Sequence, residues 1–507
     1  MLVKTYSSTL YGLSAITITI EVYLGKGINF FLVGLPDNTV KESHQRIKAA
    51  FKNNDLKFPG REITINMAPA DLKKEGSVFD LPIAIGILAV SNQLSAQHLL
   101  DYLLVGELSL DGTIQPCKGL LSRTIQAKKE GFKGIIVPAS NYEEVRQLKG
   151  IDIIPVQNLK EVINFLQNKE CSIPTYNSNK QKKIIETIDF KDVQGQIHAK
   201  RAFEIAAAGG HNLLLIGPPG AGKSMLAKRM PSILPPLSLN EAIETTSIHS
   251  VAFRQGTLQG LIQERPFRAP HHTISDVALV GGGTTPKPGE ISMAHNGILF
   301  LDELPEFKRN ALEVLRQPLE EGRVSISRAN MVTDFPADFT LIAAMNPCPC
   351  GNATDPNKLC QCSRYAVQRY RSKISGPLLD RIDMHVQVSS IPLIELQSKR
   401  KQESSSEIKK RVIRARKVQE KRCKNSENSF WNSNLSPSQI KLFCCLPKEA
   451  NHLLQNAMNQ LKLSARSYHR ILKVSRTIAD LEGSNDISSN HIAEALHYRC
   501  LDRGQLN

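Results

Sequence analysis

The sequence predicts an α/β protein in three parts: an N-terminal α/β domain over residues 1–172, a second α/β domain over 190–392 that carries a glycine-rich loop, and a helical C-terminal part over 393–507. Three observations carry this prediction. Strand-like and helix-like segments alternate in two regions of the chain. A polar stretch without periodicity separates those regions. Beyond Ile391 only helical patterns remain.

The first region opens with residues 16–22, where apolar and polar residues alternate with period two, as on a half-buried strand. Residues 63–67, 103–105 and 134–137 read as further strands, and 81–90 and 120–129 as helices. Residues 171–186 are polar and aperiodic, which places a linker at 173–189. In the C-terminal part, Ser436 followed by Pro437 has the form of a helix start, and Ser488 suits the cap of a last helix over 491–498. Residues 398–424 hold twelve basic and three acidic side chains.

Composition narrows the function classes. With 64 Lys and Arg against 48 Asp and Glu, the net charge is +16, which favours a polyanionic partner such as nucleic acid or an acidic membrane face. The longest apolar run, residues 81–90, contains Pro82 and is too short to span a bilayer. The N-terminus lacks the pattern of a signal peptide, so a cytoplasmic protein without a membrane partner is expected. In that compartment the ten cysteines are read as thiols or metal ligands rather than disulfides.

The second region carries the chemistry. Residues 212–216 form a short apolar run suited to a buried parallel strand. It leads into Gly217, Pro218, Pro219, Gly220, Ala221, Gly222, Lys223 and Ser224, which fit G-x-x-x-x-G-K-[ST] without deviation, and a helical pattern follows. Such a loop curls its backbone N–H groups around phosphates. Lys223 is then expected on the β- and γ-phosphates of ATP and Ser224 on Mg²⁺. A second apolar run, 297–301, ends in Asp302 and Glu303: Asp302 for the metal's water shell, Glu303 as general base for the attacking water. A third run ends in Asn346, placed to orient that water. Arg381, between Asp380 and Asp383, suits the charge that builds on a γ-phosphate and is of the kind often supplied by a neighbouring subunit; its structural alternative is a salt bridge with either acid. Arg466 is a further arginine for the nucleotide.

At these residues the chain resembles the magnesium-chelatase-like AAA+ ATPases of the YifB/ComM family. The matching stretches are 266–273, 281–283, 298–307, 346–351, 374–383 and 463–472, so the resemblance covers almost the whole chain. It implies a homo-hexameric ring that hydrolyses ATP and acts as a helicase on single-stranded and branched DNA, driving branch migration during natural transformation. It assigns Asn346 as sensor 1, Arg381 as arginine finger, Arg466 as sensor 2, and the C-terminal part as a helical lid. It also implies two pore-facing elements, an insert over 274–292 and a hairpin over 323–335, on which Lys287, Arg323 and Arg328 are candidate DNA-phosphate contacts.

Residues 71–82 and 105–116 resemble the proteolytic domain of Lon, which uses a Ser–Lys dyad. Val78 stands at the serine position and Leu121 at the lysine position, so an inactive dyad is expected. Ser77 and Lys118 are the neighbours that would revive it under a shifted alignment. Finally, Cys348, Cys350, Cys360 and Cys362 form CxC-x9-CxC, a thiolate set suited to Zn²⁺, although the spacing within each pair is tighter than usual. A chelatase-type protein-remodelling subunit and an ATP-dependent protease are the competing functions.

Overall fold

The computed structural model describes residues 2–168, 188–252, 260–283, 286–328, 331–355, 358–390, 402–423, 431–461, 463–499 and 501. Two compact units are present: residues 1–181 with 239–262 and 329–333, and residues 182–238 with 263–328 and 334–507. Most of the expected linker lies outside the described residues.

The first unit is built on a seven-stranded mixed sheet, in the order Phe30–Val33, Ile63–Ala68, Ser14–Leu24, Leu2–Tyr11, Tyr102–Leu104, Gly134–Pro138, Asp152–Val156. Its spine is the antiparallel pair Leu2–Tyr11 and Ser14–Leu24, in register from Leu2 opposite Tyr23 to Tyr11 opposite Ser14. The strands from Tyr102 onward join in parallel. The apolar run noted in the sequence is the helix Asp80–Val90, all eleven residues of which are buried. A helix covered on every side needs no polar face, which is why the run shows no helical period. Its one charge, Asp80, receives Arg46 through two bonds of 2.6 and 2.9 Å. Burial pushes that carboxyl up to about 6 against the pull of Arg46.

The helix Leu239–Ala252 packs within this unit although it follows the glycine-rich loop in sequence. Ser250 Oγ accepts the Gly119 amide at 3.0 Å and donates to the carboxylate of Glu144, which also accepts the Leu121 amide. Val78 and Leu121 both lie in the apolar core. Ser77 donates to Glu107, and Lys118 is exposed. Of the two residues that would revive a Ser–Lys dyad, one is thus bonded to a carboxylate and the other is exposed.

The second unit carries an all-parallel five-stranded sheet in the order Phe267–Arg268, Ile298–Leu301, Thr340–Met345, Leu213–Ile216, Met384–Gln387. Leu213–Ile216 is flanked by Thr340–Met345 and Met384–Gln387 and is fully buried, as its uninterrupted apolar sequence requires. Each such side chain contributes about 1.5–3 kcal/mol through burial. The sheet shares one core with the C-terminal helices, including Ile408 and Val412 of Ser405–Arg422 and Ile478 of Ala465–Glu482. The helix starts expected at Ser436 and Ser488 are present, each with a reciprocal capping box.

Part of the basic run over 398–424 is consumed inside this unit. Arg411 pairs with Glu204 and Glu403, Arg422 pairs with Asp480, and Arg416 stacks on Trp431 with its guanidinium carbon 3.0 Å from the ring centroid. A charge surplus read from composition thus overstates the free positive surface here.

Candidate functional site

Parallel strands that end side by side bring their following residues together at one sheet edge. In register, Ile216 lies beside Met345, and Leu301 beside Ala343, so the glycine-rich loop, Asp302-Glu303 and Asn346 all leave the same edge. Gly222, with φ +87°, turns the loop into the helix Lys223–Ile233, and no side chain caps that helix. The first-turn N–H groups are therefore left facing the loop, which is the donor arrangement a phosphate chain requires. Space is available too: a side-chain atom added at Gly220 would meet nothing within 4 Å.

Lys223 Nζ donates to Gly217 O at 2.7 Å, Pro218 O at 2.9 Å and Asn346 Oδ1 at 3.1 Å. Burial lowers the pKa of this ammonium, and Asp302 and Glu303 oppose the shift. Ser224 Oγ donates to Asp302 Oδ2 at 2.5 Å, so hydroxyl and carboxylate already meet where Mg²⁺ would need both. The donor set fits ATP and Mg²⁺.

Glu303 has φ +53°, in the left-handed region, which is uncommon for a residue with a side chain. Such strain concentrates at functional positions. Its carboxylate is half exposed and lies 3.2 Å from His272 Nδ1, and the rings of His271 and His272 are 4.1 Å apart. His272 belongs to the stretch 266–273 singled out in the sequence, but nothing there assigned it a partner. Only the fold brings the two residues together.

Arg381 and Arg466 do not join this group. They line a cavity of about 680 Å³ together with Arg265, Arg416, Arg470 and Lys473, and none of Gly217–Ser224, Asp302, Glu303 or Asn346 lines it. Arg381 pairs with neither Asp380 nor Asp383, the partners its sequence neighbours suggested. It donates to Glu320 and to Pro377 O, and its Nε is buried without a partner. Asp383 is taken by Arg470 and by the Asn212 amide. Burial alone would raise the Asp383 carboxyl, but Arg470 and His211 outweigh it and hold the group well below the usual carboxylate range. Arg466 is largely exposed, with Asp380 at 3.9 Å.

Strand pairing is present in both the insert and the hairpin. In the insert, Gly281–Gly282 pairs with Lys287–Pro288, leaving Lys287 exposed. The hairpin is present as Arg323–Arg328 and Met331–Pro336. Arg323 lies 3.3 Å from Glu321 and 3.8 Å from Asp334, so its charge is partly answered within the chain. The side chain of Arg328 lies outside the described residues. The sulfurs of Cys348, Cys350, Cys360 and Cys362 all fall within 4.8 Å of one another. No helix of the described residues is long and apolar enough to cross a membrane.

A parallel sheet with this loop, paired acids and polar strand end, together with a Lon-like α/β domain and a helical C-terminal part, defines a protein of the P-loop AAA+ class. Family models of magnesium chelatase subunit ChlI match residues 20–141 and 189–396, and that of its C-terminal part matches 402–499. Competence protein ComM of Haemophilus influenzae is 45% identical over 98% of this chain and 97% of its own length. YifB of Salmonella typhimurium is 45% identical over 97% and 96%, and the archaeal Lon protease of Methanocaldococcus jannaschii is 27% identical over 23% of this chain and 18% of its own. The chain belongs to the ComM/YifB family of magnesium-chelatase-like AAA+ proteins.

Proposed function

We propose that the chain is one subunit of a homo-hexameric, ATP-hydrolysing DNA translocase that promotes branch migration during recombination in natural transformation. The observation that carries this reading is the division of the site. Lys223, Ser224, Asp302 and Asn346 meet at one sheet edge, while Arg381 and Arg466 line a cavity that none of them reaches. A site divided in this way is completed when the arginines of one copy face the phosphate loop of the next, and repeating that head-to-tail contact closes a ring.

When bound, ATP with Mg²⁺ supplies the phosphoanhydride bond whose cleavage drives movement. Lys223 keeps its ammonium at the loop, and Ser224 with Asp302 would hold the metal. Glu303 takes up a proton at its carboxylate, oriented by His272. Asn346 fixes the position of the nucleophile from the strand end, and Arg381 answers charge from the neighbouring copy.

DNA as the partner is supported by the +16 charge, by exposed Lys287 on its short hairpin, and by the competence protein among the relatives. Arg323 and Arg328 remain proposed contacts on the second hairpin. The same reading divides the chain at 1–172, 173–189, 190–392 and 393–507 and places it in the cytoplasm. The burial of Val78 and Leu121 argues against the protease reading.

Purified protein incubated with ATP, Mg²⁺ and a labelled four-way DNA junction tests the proposal. ATP-dependent conversion of the junction, with ATP turnover that rises on adding DNA, is expected. Intact junctions together with turnover indifferent to DNA would overturn it in favour of a chelatase-type remodelling subunit.

A further inference from the structure

The loop from the end of the strand Thr340–Met345 to the helix Arg364–Arg371 brings together Cys348, Cys350, Cys360 and Cys362. Cys348 Sγ lies 3.4 Å from Cys350 Sγ and 3.6 Å from Cys360 Sγ, and the last two are 3.6 Å apart. Four thiolates at about 2.3 Å from a tetrahedral zinc stand about 3.8 Å from one another. The observed separations lie close to that edge length and far from a sulfur–sulfur bond, which is about 2.05 Å.

The amides of Asn352 and Gln361 face Cys350, and the amide of Ala353 faces Cys348. Backbone donors of this kind orient metal ligands. Cys348 is buried while Cys350 and Cys360 are exposed, so the cluster is anchored on one side and open to metal entry on the other.

We propose that these four cysteines form a structural tetrathiolate zinc site that fixes one wall of the phosphate loop. The position follows from contacts on both sides of the cluster. Gly351, with φ +82°, packs so closely on the loop that a side-chain atom there would come 2.6 Å from Pro219 Cδ. Asn346, the residue bonded to Lys223, lies two positions before Cys348. On the other side, Ser363 follows Cys362 directly and caps the helix whose Arg371 donates back to Pro347 O at 3.3 Å. Binding a metal closes this circuit and holds Asn346 and Pro219 at a fixed separation. The consequence for the loop rests on the nucleotide reading above, whereas metal binding itself does not.

The test is metal analysis of the full-length protein purified without added zinc or chelator. About one zinc per chain is expected, released by a mercurial that blocks thiols. Protein grown with cobalt should show the near-ultraviolet thiolate charge-transfer band and the intense visible bands of tetrahedral coordination. Cys360→Ser with Cys362→Ser should lose the metal and bind a fluorescent ATP analogue several-fold more weakly. Lys223→Ala should lose the analogue and keep the zinc, which separates the two readings. Metal-free wild-type protein with all four thiols freely titratable, or a doubly substituted protein that keeps its zinc, would overturn the site. Should the double variant lose zinc yet bind the analogue as wild type does, the proposed link to the phosphate loop falls.

Discussion

Lys223 Nζ lies 3.1 Å from Asn346 Oδ1, a hydrogen bond across 123 residues that ties the glycine-rich loop to the end of a neighbouring strand. The same ammonium is held by the carbonyls of Gly217 and Pro218, so its position is fixed by the fold rather than by a ligand. Preorganised cations lose little on binding and stabilise charge where it develops. Lys223→Ala should therefore abolish nucleotide binding. Asn346→Ala should keep it and lower ATP turnover by roughly 100-fold. Equilibrium binding of a fluorescent ATP analogue beside a steady-state ATPase assay checks both. An Asn346→Ala protein that cannot bind would show that Asn346 is needed for the loop's shape, not for positioning the nucleophile.

The contact between His272 Nδ1 and the Glu303 carboxylate yields a second expectation. Glu303→Gln removes the proton acceptor and should lower kcat by about 100-fold or more while leaving ATP bound. His272→Ala leaves the carboxylate but frees its rotamer, so the loss should be smaller, roughly tenfold in kcat with little change in KM. Steady-state kinetics of the two variants distinguishes base from positioning residue. Normal turnover by the Glu303→Gln protein would remove Glu303 from the proposed role.

The parts of the site that lie within one motif were legible in the sequence because local spacing fixes them. Gly217–Ser224 needs only a strand before it and a helix after it, and both are present. Helix starts at Ser436 and Ser488 are likewise local events. Two kinds of information were not local. Arg381 sits between two acids in sequence, yet its partner is Glu320, 61 residues away, because helix packing rather than adjacency decides which carboxylate it meets. The helix Leu239–Ala252 is anchored through Ser250 to Gly119 and Glu144, more than 100 residues earlier, and no period or cap in its own sequence signals that placement.

Separation of Arg381 from the phosphate loop predicts complementation between copies. Arg381→Ala should bind ATP normally but lose turnover by about a thousandfold. Lys223→Ala should neither bind nor turn over. In the proposed ring neither homo-oligomer would be active, yet a mixture of the two would contain interfaces at which an intact loop faces an intact arginine. Partial recovery of ATPase activity in mixed assemblies is expected, with a maximum near equal proportions. An Arg381→Ala preparation that stays inactive at every mixing ratio, although subunits exchange, would place the arginine and the loop in the same copy's site.

Asp383 gives a pH prediction for stability. Its carboxyl is buried, is paired with Arg470 and the Asn212 amide, and is held below the usual range. A group whose folded pKa is depressed binds protons more weakly in the folded than in the unfolded chain. Its stabilisation is therefore complete above the unfolded value of about 3.9 and is lost as the pH falls through the folded value. Asp383→Asn should cost about 1–3 kcal/mol near neutral pH, because the partly exposed Arg470 loses its charge partner and the hydrogen bonds to the carboxylate become neutral. That cost should shrink steadily as the pH drops below about 3.9, where the carboxyl takes up a proton in the unfolded chain while the folded one stays ionised. Urea unfolding of both proteins between neutral and strongly acidic pH measures the difference. A gap that stays constant over the whole range would mean that the Asp383 carboxylate contributes shape and hydrogen bonding but no charge-dependent stability.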